Sequence, residues 1–232
     1  MLVADDSNPD LLVCPYYCGH MESRTNGETD LLDRYGVIDE ATGSQRAKEA
    51  LENLMIVARS VLHEGPITMD HLLVGGMVAR TQSLHEAALS AIDSDNPHAA
   101  FTLLRAYIEQ CAATLYLTDH PGKAEPLWND QDGRGVPIGR ITSHADRSGR
   151  FKEFRRLYDQ LSKYAHPSSV SHFANMRVSE EGKFTFQTAP RFKGDKEKLV
   201  AYAWLVEFSC IAHILLFKFA ESRGLGKVIR PE

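Results

Sequence analysis

Two stretches of this 232-residue chain carry side chains whose types and spacing suit chemistry. Arg105 and Glu109 stand four residues apart, so on a helix they share one side, at the edge of an apolar stripe. Tyr158, Ser162 and His166 follow at i, i+4 and i+8, a polar row along a second helix. His166-Pro167 closes that row at the carbonyl end of the helix, where a cation is favoured. An imidazole that moves a proton and a guanidinium that holds a negative charge are what acid–base work on a phosphate group needs. The same five residues support a structural reading as well, with Arg105 and Glu109 as an ordinary ion pair and His166 as a helix cap.

Near the second helix lies the densest run of positive charge. Residues 134 to 156 hold seven bases against two acids, whereas residues 1 to 40 hold nine acids against two bases. Arg147, Arg150, Arg155 and Arg156 are therefore the candidate contacts for a phosphate backbone, and a solvated loop and helix face is the plainer alternative. The whole chain is mildly acidic, with a formal charge of −5, which excludes a uniformly basic nucleic-acid binder. Hydrophobic residues make up 43% and charged residues 25%, enough for one real core and incompatible with disorder throughout.

Other chemistries find little support. Cys14, Cys18 and His20 look like half of a zinc ribbon, but three residues separate the cysteines and no second pair follows, so no metal or other cofactor is expected. No phosphate-binding Gly-x-x-x-x-Gly-Lys loop, Gly-x-Ser-x-Gly elbow, His-Glu-x-x-His or Glu-x-x-His pair occurs. The four cysteines read as reduced thiols. The opening MLVADDSNPD lacks the basic and apolar regions of a secretory leader, so the cytoplasm is the expected compartment. Residues 201 to 220 match a membrane span in length, yet Glu207, His213 and Lys218 mark them as a buried helix, and no membrane partner is expected.

The elements that must position these side chains are mostly helical. Apolar residues recur at three and four over 44 to 63, 68 to 92, 97 to 117, 151 to 165 and 196 to 222. Asn96-Pro97 and Asp195 supply start signals, and Gly65-Pro66, His120-Pro121-Gly122 and His166-Pro167 supply stops. Residues 175 to 187 alternate about Glu180-Glu181-Gly182 and predict a small hairpin. Residues 121 to 150 read as a long loop, and 1 to 43 as an irregular arm. The expected fold is all-α: one domain over 44 to 232, a bundle of about five helices with a small β-hairpin insert.

Arg105-x-x-x-Glu109, followed after a loop by Tyr158-x-x-Leu161-Ser162-x-x-Ala165-His166-Pro167, resembles uncharacterised bacterial and phage helical proteins related to the HEPN superfamily. The resemblance spans about residues 45 to 220. It implies a helical bundle that forms a homodimer and engages RNA or nucleotides, in many members as a metal-independent ribonuclease of toxin–antitoxin or antiphage systems. The family's catalytic pattern places four to six intervening residues between an arginine and a histidine. Here nine residues separate Arg156 from His166, so His166 alone carries over, as the residue assisting attack of a ribose 2′-hydroxyl on phosphate, with Arg105 supplying charge from another helix. In that scheme Glu109 orients Arg105 and Tyr158 contacts the phosphate or a base. The competing expectation is a non-catalytic interaction protein, with a protein partner, whose Arg, Glu, Tyr and His groups stitch helices together.

Overall fold

Apolar residues recurring every three or four positions build the helices of this mostly helical, all-α protein. The computed structural model describes residues 27–61, 66–124, 135–151, 153–166, 168–172, 175–179 and 181–225. Helix α1 (Gly27–Tyr35) leads into α2 (Glu40–Val61), which buries Ala47, Ala50, Leu54, Val57 and Val61. Helix α3 (Met69–Asp93) opens on a reciprocal cap, the Thr68 hydroxyl accepting from the His71 amide and the His71 ring accepting from the Thr68 amide. Helix α4 (Pro97–Asp119) opens with Asn96 Oδ1 accepting from the Ala99 amide at 3.1 Å and proline at the first helical position.

After α4 come a 3₁₀ turn (Pro121–Lys123), α5 (Ile138–Arg147) and α6 (Phe154–Ala165). A single-turn helix, α7 (Ser169–His172), precedes two three-residue strands, β1 (Met176–Val178) and β2 (Phe184–Phe186), which run antiparallel with Met176 opposite Phe186. The last helix, α8 (Asp195–Ser222), packs against α1, α2, α3 and α4. By length and composition α8 could cross a membrane, and 67% of its most apolar window is buried among the other helices. Tyr202, Phe208 and Phe219 on it meet Phe101, Leu104 and Tyr107 of α4 in one hydrophobic core.

Two expectations are corrected. The irregular arm expected over 1 to 43 contains α1, and α2 starts at Glu40 because Asp39 Oδ1 accepts from the Thr42 amide at 2.8 Å and caps it. Gly43 is buried in α2 because the ring of Tyr202 lies 2.7 Å from where a Cβ would stand. The loop expected over 121 to 150 contains α5, whose Ile141, Thr142 and Ala145 follow helical spacing and are buried, with α4 as its neighbour. The Cys14, Cys18 and His20 grouping lies outside the described residues.

Candidate functional site

Helices α4 and α6 lie side by side, and their polar edges meet. Leu161 and Phe154 of α6 are buried, which turns Tyr158 and Ser162 toward α4. Arg105 Nε donates to Ser162 Oγ at 3.0 Å and Nη2 donates to the Tyr158 hydroxyl at 2.7 Å. Nη2 also pairs with Glu109 Oε1 at 2.8 Å, and the Tyr158 hydroxyl donates to the same carboxylate oxygen at 2.8 Å. Four of the five residues read as a catalytic set thus form one network across two helices.

The electrostatics of that network are closed on themselves. The Arg105 and Glu109 side chains are each about one-fifth exposed, at 20% and 21%, so their pairing is sheltered but reaches solvent. The guanidinium carbon also stands 5.0 Å from the centre of the Tyr158 ring, a cation–π distance. Burial, reinforced by the hydrogen bond to Glu109, holds the Tyr158 phenol above its ordinary pKa, so at neutral pH it is a proton donor. Ser162 receives its bond from a guanidinium, which is no base, so this contact does not activate it as a nucleophile. Among the described residues Arg105 Nη1 takes no hydrogen bond.

His166 stands apart from the other four. It is exposed, and its backbone is extended at φ −107° and ψ 155°, the region a residue before proline prefers. Leaving helical geometry takes its side chain off the row that Tyr158 and Ser162 continue, and the imidazole takes no hydrogen bond in the network. Its amide donates to Ser162 O at 3.0 Å and its carbonyl accepts from Ser171 Oγ at 2.7 Å, so His166 caps α6 through its main chain.

The arginines of the basic run are spread over three settings. Arg155 pairs with Asp159 at 3.1 Å and Arg156 with Glu153, all exposed and therefore readily opened. Arg147 is exposed and donates through Nε to Ser143 O at 3.0 Å. Arg150 reaches back to the end of α4, where its Nη1 meets Asp119 Oδ1 at 2.9 Å. That carboxylate is shared with His144 of α5, whose Nε2 lies 2.7 Å from Oδ2, and His120 is adjacent. Sequence spacing could not expose this grouping, since 25 residues separate Asp119 from His144 and no helical period links them. Among the described residues no group of three His, Cys, Asp or Glu side chains converges to hold a metal ion.

Compared with family models, with curated proteins and with solved structures, the chain matches none.

Proposed function

We propose that this chain is a HEPN-like helical protein that engages RNA or nucleotides along the face shared by α4 and α6, without His166 as a catalyst. The observation that carries this reading is the state of Arg105. Three partners hold its guanidinium in place, while among the described residues Nη1 has no hydrogen-bond partner, and the side chain is one-fifth exposed. A cation fixed before an anion arrives loses little freedom on binding it. Arg147, Arg155 and Arg156 are exposed on the flank, tied only to groups that a phosphate backbone displaces cheaply.

The test is fluorescence anisotropy with a labelled single-stranded RNA oligonucleotide, from low to physiological salt, on the full chain. Binding should weaken as salt rises, and Arg155→Ala with Arg156→Ala should flatten that dependence by about one to two counterions. His166→Ala should leave the processing of total RNA as it is in the unaltered protein. Absence of RNA binding at low salt overturns the reading, and loss of cleavage on His166→Ala returns His166 to the catalytic role.

A second reading is favoured by the mutual satisfaction of Arg105, Glu109, Tyr158 and Ser162. In it the network is a staple between helices of an interaction protein, and Arg105→Ala lowers stability while RNA binding is absent throughout. A homodimer fits either reading, with a second copy covering Ile56, Met69 and Leu72, which stand exposed on α2 and α3. Light scattering coupled to size exclusion measures it.

A further inference from the structure

The end of α4 meets α5 in a group of side chains that no part of the α4–α6 network uses. Asp119, His120, His144 and Arg150 meet there, backed by the ring of Tyr116. Each imidazole has one nitrogen spoken for and a proton assigned by its partner. His120 Nδ1 lies 2.9 Å from Tyr116 O, a carbonyl that can only accept, so Nδ1 carries hydrogen and Nε2 has no partner among the described residues. His144 Nε2 lies 2.7 Å from the Asp119 carboxylate, so Nε2 carries hydrogen and Nδ1 has no partner among the described residues.

The two rings are held, not loose. Tyr116, 8% exposed, stacks on His120 at 4.4 Å between centres and a 20° tilt, and meets His144 edge-on at 5.5 Å. The imidazoles stand 4.9 Å apart at 76° to one another. Arg150 fixes the other oxygen of Asp119, so the carboxylate is clamped from both sides. Asp119, His144 and Arg150 keep 22%, 23% and 26% of their side-chain surfaces exposed, so the group opens to solvent. Carboxylate-oriented imidazole, second imidazole and guanidinium are the parts of an acid–base site for phosphoryl chemistry.

No nucleophile accompanies them. Neither imidazole is hydrogen-bonded to a hydroxyl or thiol among the described residues, so the attacking group is water or, already held in place, a hydroxyl of the substrate. A phosphodiester that carries a hydroxyl on the adjacent carbon satisfies that condition, and RNA does where DNA does not. Resting on the reading that this chain engages RNA, we infer that His120 and His144 form a metal-independent proton-transfer site cleaving RNA at the α4–α5 corner. His144 Nδ1 takes the proton of the 2′-hydroxyl as O2′ bonds to phosphorus. The bond from phosphorus to O5′ breaks, and protonated His120 gives its Nε2 proton to the departing oxygen. The products are a 2′,3′-cyclic phosphate and a 5′-hydroxyl, and solvent restores the two imidazoles. Asp119 is a positioning residue that orients His144, and Arg150 lies beside the phosphate to offset its charge.

The experiment uses the full chain and one oligonucleotide in two forms, all-ribose and 2′-O-methyl. Expected are binding of both, cleavage of the ribose form alone, and cyclic-phosphate ends on the product. His120→Asn and His144→Gln each keep a donor for the existing hydrogen bond but offer no titrating nitrogen. Each should bind the 2′-O-methyl strand like the unaltered protein and cleave the ribose strand about 10²- to 10⁴-fold more slowly. Asp119→Asn should lower kcat with KM nearly unchanged, and His166→Ala should cleave at the full rate. Binding of both strands with no cleavage of either overturns this inference alone. Full-rate cleavage by either histidine variant also overturns it, and absence of binding to both strands removes the RNA reading on which it rests.

Discussion

At the scale of single residues, the α4–α6 contact is decided by where one guanidinium spends its N–H groups. Arg105→Ala would strand Glu109 in a sheltered position with only the Tyr158 hydroxyl, a loss of about 1–3 kcal/mol. Tyr158→Phe removes one bridge but leaves the ion pair, so about 1 kcal/mol is expected. Urea unfolding followed by circular dichroism measures both, as a lower midpoint at unchanged slope. The two losses should fall short of additive in the double variant, because both report on one network. Arg105 and Glu109, Tyr158 and Ser162 were legible as pairs from helical spacing. That His166 would leave the row was written in its neighbour, since proline turns the preceding residue away from helical geometry.

At the scale of elements, glycine separates what the local sequence favours from what packing demands. Gly43 lies inside α2 with Tyr202 of α8 at 2.7 Å from a Cβ position, so Gly43→Ala should destabilise the protein even though alanine favours helix by about 1 kcal/mol. Gly75 and Gly76 lie inside α3 with nothing within 4 Å of either Cβ position. Gly75→Ala and Gly76→Ala should each raise the thermal midpoint by the equivalent of about 0.5–1 kcal/mol, read by differential scanning calorimetry. A sequence reading treats all three glycines as weak points of a helix. Only the presence of a partner ring distinguishes Gly43, and that partner lies 159 residues away in the chain. Helix α5 was read as loop because Gly, Pro, Asp and Arg crowd residues 121 to 150, although Ile138, Ile141 and Ala145 follow helical spacing and α4 covers the buried ones.

At the scale of the whole molecule, stability should depend on pH through groups locked in the core. His85 is fully buried on α3, with Nε2 donating to Ala47 O of α2 at 2.9 Å, and burial pushes its pKa down to about 4. The unfolded imidazole titrates near 6.5, so between these values the unfolded chain binds more protons and folding weakens as pH falls. The full loss is about 3 kcal/mol at pH 4. Glu207 acts oppositely, since burial holds its carboxyl above the ordinary value and the folded state takes that proton first. Comparing the unaltered chain with His85→Gln isolates the histidine: the difference in their unfolding free energies should change across pH 6.5 to 4 and stay level above it. At the alkaline end, burial keeps the phenols of Tyr158, Tyr164 and Tyr202 above their usual range, so stability falls as pH climbs past about 10.

By itself the sequence determined the all-α character, the seats of the long helices and the spacing that sets Arg105 beside Glu109 and Tyr158 above Ser162, because these depend on residues within two turns of one another. Tertiary structure alone decided that Arg105 reaches 53 and 57 residues forward to α6, that Asp119 joins His144, and that Tyr202 requires a glycine at 43. Helical periodicity states which way a side chain faces on its own axis. Which neighbour it meets is settled by how whole helices bury their apolar stripes against α8, a sum over the entire chain that no local spacing contains.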